Sequence, residues 1–191
     1  VKLRVVVVGI PGVGKSTVVE KLVAETKGSR LANFGSVMLE QGIDLGWIKH
    51  RDELRKLTVE KQRRLQKATA LRISRMKENT VVVDTHLFIR TREGFWPGLP
   101  FDVVRALKPT HLILVEASPD EVAKRRAADS TRYRDAATRE VLVEELSLAR
   151  SFLSVSSTLT GAPMLIVTNA DGKASETASS VAAMLRGASA K

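Results

Sequence analysis

Residues Gly9 to Ser16 read GIPGVGKS and fit G-x-x-x-x-G-K-[ST] without a mismatch. Residues of this type at this spacing hold a row of phosphates. Gly9, Gly12 and Gly14, with Ile10, Pro11 and Val13 between them, let backbone N–H groups close around phosphate oxygens without a Cβ in the way. The helix that follows points its unpaired N–H groups and its dipole at the anion. Lys15 is spaced to reach the β- and γ-phosphates, the Ser16 hydroxyl to hold Mg²⁺, and Thr17 continues the motif. A strand, a glycine turn and a helix can occur without a ligand. Here the full pattern follows Val5 to Val8 and precedes the helical stretch Thr17 to Glu25, so it reads as a nucleoside triphosphate site.

Asp84 ends the apolar run Thr80-Val-Val-Val-Asp84 as a Walker-B-type acid would, placed to hold Mg²⁺ directly or through water. The competing reading is an acid that caps a turn at a strand end. Moving a phosphoryl group also requires neutralising charge on its equatorial oxygens, work suited to the guanidinium fork of arginine. Arg132 and Arg134 flank Tyr133 in a polar stretch with no apolar anchor, and Arg125 and Arg126 precede it by one or two helical turns. A lid closing over a triphosphate and a charged surface loop both fit this composition. His86, two residues past Asp84, is read as a positioning residue at most. The histidines, His50, His86 and His111, show no zinc spacing.

These residues need a scaffold that brings them to one edge. Apolar runs at 3–8, 80–84, 111–117 and 163–168, with a shorter one at 30–33, read as strands, and helical stretches alternate with them. The pattern predicts a three-layer, doubly wound, five-stranded parallel sheet covered on both faces. Ligands in such sheets bind at the carboxyl ends of the strands, where Gly9, Gly35, Asp84, Ser118 and Asn169 all fall. Ser36 is read as the cap of a helix reaching about Gln41 and broken by Gly42 and Gly46. Thr58, Ser118 and Thr138 are read as caps of later helices, and Gly187 as the stop of the last. The stretch containing Arg90 and Arg92, up to Pro100, reads as loop and turn. The apolar face of the helix after Thr58 is expected to be Leu65, Ala68, Leu71 and Met76. One domain is expected, with a core over 1–33, 80–128 and 138–191, a basic helical region at about 34–79 and a short lid at about 129–137.

The 191 residues are 43% hydrophobic with a formal net charge of +10. Nucleic acid and small polyphosphates would both suit that charge. Aromatics are only 4% and are not interleaved with the basic runs, which favours small polyphosphates. No apolar run approaches a membrane span. With no cysteine and no signal-peptide h-region, a cytoplasmic location is expected.

Taken together, GIPGVGKST, NFGSVM, RDELRKL with its basic helix, VVVDTH, PGLP and DSTRYRD resemble the archaeal-type adenylate kinases over nearly the whole chain. The resemblance implies a P-loop nucleoside-monophosphate-kinase fold, reversible phosphoryl transfer from MgATP to AMP giving two ADP, and often a trimer. By position it implies that Gly12, Gly14, Lys15, Ser16 and Thr17 bind ATP phosphates and that Arg125 stacks on the adenine. Arg132 and Arg134 match lid arginines. Phe34, Gly35, Ser36 and Met38, with Arg51 and Arg55, would form the AMP side, bordered by His86 and the turn containing Gly98 and Leu99. Ser36 stands where many related kinases have the Asp of a Gly-Asp pair, so the acceptor base is less firmly implied than the kinase. A kinase for UMP, CMP or a small metabolite alcohol, or an RNA-associated switch ATPase, remain the alternatives. A GTPase is disfavoured, because Thr168-Asn-Ala-Asp171 and Asp84-Thr-His-Leu87 lack the Lys, the spacing and the Gly it would need.

Overall fold

All six residues of β1 (Leu3–Val8) are buried, as a run of β-branched residues requires when both faces of its sheet are covered. The computed structural model describes residues 2–91, 94–129 and 138–189. From β1 the chain continues through α1 (Lys15–Glu25), β2 (Ser29–Asn33), α2 (Phe34–Asp44), a 3-10 segment (Arg51–Lys56) and α3 (Val59–Ser74). It then forms β3 (Thr80–Asp84), β4 (Phe88–Thr91), β5 (Gly94–Pro97), α4 (Phe101–Leu107) and β6 (His111–Glu116). The remaining elements are α5 (Pro119–Ala128), α6 (Arg139–Thr160), β7 (Met164–Thr168) and α7 (Ala174–Ser189).

Five strands form one sheet in the order β2-β3-β1-β6-β7, and every pairing is parallel. Packing of α1 on α7, and of α3 on α4 and α4 on α6, supplies the helical layers. The core joins β1, β3 and β6 to Val18, Val19 and Leu22 of α1, Val103, Val104 and Leu107 of α4, and Leu142, Ala149 and Leu153 of α6. At the amino end of β1, buried Arg4 donates to the carbonyls of Met76 (2.6 Å) and Glu78 (3.1 Å) just beyond α3. A cation is favourable at that helix C-terminus, and the phosphate loop follows the other, carboxyl end of β1.

The expected sheet is present, and several local readings are corrected. Asn33, not Ser36, caps α2: its Oδ1 accepts from the Ser36 N–H at 3.0 Å, one turn earlier than expected. The helix runs past Gly42 because that glycine is packed, not bent; a Cβ there would sit 2.7 Å from Ile48 Cδ1. Residues 88–91 and 94–97, read as loop and turn, pair as two antiparallel strands in which Ile89 stands opposite Trp96. The buried face of α3 is Leu65, Thr69, Ala70 and Ile73, while Leu71 and Met76 pack only at its border. Gly187 does not stop α7, which reaches Ser189. The caps at Thr58, Ser118 and Thr138 are found where the sequence puts them.

Candidate active site

The phosphate loop is held from behind by two elements distant in sequence. The Val13 carbonyl accepts from Asn169 Nδ2 (2.8 Å), just past β7, and from Arg125 Nη1 (3.1 Å) on α5. Gly14, at φ 79°, is the N-cap of α1, which has neither a capping side chain nor an acid in its first turn. Its first N–H groups are thus left for an anion. Gly14 is fixed by space as well as by φ, since a Cβ would lie 2.4 Å from Asn169 Nδ2. Ile10, Pro11, Gly12, Gly14, Lys15, Ser16 and Thr17 line one cleft, together with His86, Arg125 and Asp129.

Below the loop the sheet delivers a carboxylate. Val7 and Asn33 both stand in register with Asp84, because β1, β3 and β2 end at one level. Lys15 Nζ, on the first turn of α1, donates to Asp84 Oδ1, and both residues are buried. Asn33 Nδ2 donates to the other oxygen, Oδ2, at 2.9 Å. Asn33 thereby does two jobs, with its amide nitrogen on Asp84 and its amide oxygen capping α2.

The residues expected on the acceptor side begin at that cap. Phe34 is buried in the core and Met38 packs against it. Gly35 faces Arg51, whose Nη2 would be 3.2 Å from a Cβ at position 35. Gly98 donates its N–H to the Leu87 carbonyl at 2.7 Å and leaves no room for a side chain, since a Cβ would meet the His86 oxygen at 2.2 Å. This contact brings the His86-Leu87 backbone against Gly98 beyond the far end of β5, and Leu99, next in the chain, is buried. The side chain of Arg55, and all of Arg132 and Arg134, lie outside the described residues, as does residue 92.

Arg125 is ordered by a dense set of acceptors. Besides Val13 it donates to the Asn169 carbonyl (3.0 Å) and, through Nε and Nη2, to Asp171 Oδ1 (2.9 and 2.6 Å). These bonds, with one from Lys124, hold the Asp171 carboxyl below its ordinary range. Glu121 is held low too, first by the Ser118 hydroxyl and then by the Asp171 N–H. Arg126 turns the other way, with Nε on the Pro11 carbonyl (2.8 Å) and Nη2 on Glu145 (2.6 Å).

Sequence reasoning missed Asn33, Asn169 as a loop anchor, and Glu145. Asn169 was visible as the residue ending a strand, but nothing in its type says that it reaches back to Val13. Asn33 precedes Phe34-Gly35, and its N-cap chemistry was the signal available.

A phosphate loop on the central strand, with an acid delivered beneath its lysine by the neighbouring strand, defines a P-loop kinase. The sheet superposes on shikimate kinases from Bacteroides thetaiotaomicron (TM-score 0.62, 14% identity, 99% of each chain) and Acinetobacter baumannii (TM-score 0.63, 14% identity, 98% of this chain and 94% of that one), which speaks to the fold alone. A family model described as an AAA domain matches residues 8–143. Sequence likeness is more specific. The chain is 43% identical over 172 residues to the adenylate kinase of Methanocaldococcus jannaschii, covering 87% of this chain and 90% of that one. It is 40% identical over 176 residues to that of Pyrococcus furiosus, covering 91% and 90%. The chain belongs to the archaeal-type adenylate kinase family. Among the described residues no helix is long and apolar enough to cross a membrane.

Proposed function

We propose that this cleft transfers the γ-phosphoryl group of ATP to AMP, reversibly, giving two ADP. The observation that carries the reading is the sharing of Asp84: Lys15 meets it from the phosphate loop, and Asn33 meets it from the cap of the helix that opens the acceptor segment. Donor and acceptor sides thus converge on one carboxylate. An oxygen of the AMP phosphate attacks Pγ, the bond from Pγ to the β,γ-bridging oxygen breaks, and ADP leaves with that electron pair. The attacking group is already an anion, so no strong base is needed, and His86 positions rather than abstracts.

In this reading Gly9 to Thr17 cradle the ATP phosphates and Lys15 exchanges its Asp84 partner for phosphate oxygens. Arg125 borders the adenine, and Arg132 and Arg134, outside the described residues, neutralise charge on the transferring group. Phe34, Gly35, Ser36, Met38, Arg51 and Arg55 receive AMP, with Gly98 and Leu99 at its edge. The Ser16 hydroxyl and the Asp84 carboxylate are hard oxygen donors suited to Mg²⁺, which in such sites takes one or two protein ligands and completes its shell with phosphates and water. No cluster of three or more acids or histidines is needed for that, and none occurs among the described residues. When bound, Mg²⁺ supplies charge neutralisation on the β- and γ-phosphates.

The acceptor region (about 34–79) is proposed to move on a fixed core; the lid expected at about 129–137 lies, past Asp129, outside the described residues. A cytoplasmic homotrimer is proposed by family resemblance. Exposed Val155 and Leu159 on α6, with Met164 and Ile166 on edge strand β7, offer apolar area for an interface. Mixing the protein with MgATP and each nucleoside monophosphate in turn, and following diphosphate formation, tests the reaction. Rapid ADP formation with AMP is expected. Preference for UMP or CMP would reassign the acceptor, and slow hydrolysis stimulated only by RNA would overturn the reading.

A further inference from the structure

Glu145 stands in the core-facing stripe of α6, between buried Leu142 and Ala149, where periodicity calls for an apolar residue. It is 5% exposed. Its Oε2 accepts from Arg126 Nη2 at 2.6 Å and its Oε1 from Arg90 Nη1 at 3.4 Å. Burying an ion pair is costly, and replacing both partners by well-packed apolar residues is often neutral or stabilising. Stability alone therefore does not account for a charge here.

The two arginines lead to different parts of the cleft. Arg126 lies along the phosphate loop: its Nε is on the Pro11 carbonyl, and its Cγ would be 3.0 Å from a Cβ at Gly12. Arg90 belongs to β4, whose hairpin is anchored at the Leu87–Gly98 contact, and its guanidinium lies 5.7 Å from the Phe95 ring centroid. Phe95 meets Phe88, which meets Phe152 on α6. One carboxylate thus ties the wall of the donor loop to the strand leaving the acceptor edge.

We infer that Glu145 is a positioning residue for phosphoryl transfer, holding Arg126 against the phosphate loop and joining that loop to the β4–β5 hairpin through Arg90. This rests on the kinase reading above. Without the negative charge, Arg126 loses the partner that sets its direction, and loop and hairpin no longer share a fixed point.

The test uses the full chain, first confirming that the unmodified enzyme converts ATP and AMP to ADP; if it does not, the kinase reading fails on its own. Glu145→Gln, which keeps shape and removes charge, is expected to lower kcat at least tenfold with both substrates saturating, while either KM changes less than threefold. Arg126→Lys is expected to do the same, and the double variant to be no slower than the slower single one, since both changes break one bridge. A paired replacement, Glu145→Leu with Arg126→Leu, is expected to keep or raise the thermal midpoint while activity stays at least tenfold down. The inference is overturned by a Glu145→Gln enzyme of unchanged kcat, by multiplicative effects of the two single changes, or by a paired variant that regains full turnover. A loss fully explained by a smaller folded fraction would reduce Glu145 to a core contact and overturn it too.

Discussion

Lys15 and Asp84 meet although 69 positions separate them, and the register of β1 and β3 brings them together. A lysine on the first turn of α1 and an acid at the last position of β3 can touch because β1 and β3 end level. The pairing keeps both charges satisfied in a buried position, and it holds the ammonium directly under the loop that would receive phosphate.

Lys15→Ala is expected to lower kcat by about 10²–10³, the scale for removing one preorganised electrostatic partner of a transition state. Initial rates with MgATP and AMP at saturation measure this. Turnover within twofold of the parent enzyme would remove the phosphate loop from the mechanism.

Gly14→Ala meets both a positive φ and the Asn169 amide. It is expected to abolish the rise in thermal midpoint that ATP gives the parent protein. Adding Asn169→Ala removes the collision but also the anchor on Val13, and it leaves the φ strain of about 1–2 kcal/mol, so the double variant should recover only part of that rise. Full recovery would mean that space alone, and not backbone conformation, selects glycine at this position.

Arg51→Ala is expected to raise the KM for AMP at least tenfold with little change in the KM for ATP, since Arg51 lies against Gly35 at the start of α2. Steady-state kinetics with each substrate varied in turn separates the two. Equal increases in both KM values would move Arg51 out of the acceptor side.

Arg132→Ala and Arg134→Ala are each expected to depress kcat more than they weaken ATP binding. Rates at saturation, set beside ATP affinity from equilibrium titration, distinguish the cases. A change confined to affinity would make these arginines ground-state clamps.

The Asp171 carboxyl is held low by Arg125 and Lys124, so its folded-state pKa lies under the unfolded one. A depressed carboxylate stabilises fully above the unfolded value, about 3.9, and that contribution is lost as pH falls through the folded value. Asp171→Asn should therefore lower the thermal midpoint at neutral pH and flatten its fall on the acid side below about pH 4. Thermal melts across a pH series check this; curves of equal slope would show that Asp171 does not contribute to acid unfolding.

The sequence made legible what depends on local pattern. Thr58, Ser118 and Thr138 cap helices because a cap needs only its own turn. The strands beginning at Leu3, Thr80 and His111 announce themselves by apolar runs. What depended on a distant partner was hidden. Residues 88–91 and 94–97 are too short and too mixed to signal strands until Phe88 has Phe95 and Phe152 to pack against. Glu145 looked like one more polar residue on a long helix, and its burial follows only from guanidinium groups supplied by β4 and α5. Nothing local to Asn33 shows that its amide finds Asp84, so Ser36 is the cap that the sequence suggests.

The central position of β1 also sets an order of assembly. This strand is made first, yet it pairs only with β3 and β6, whose residues begin at 80 and 111. During synthesis the strand that carries the phosphate loop gains a neighbour on one side when β3 is made, and on the other only after β6. The Asn169 and Arg125 bonds to Val13 come later still. A chain cut short before β7 would keep Arg125 for its phosphate loop but lose the Asn169 bond to Val13, and its nucleotide binding should be weakened accordingly.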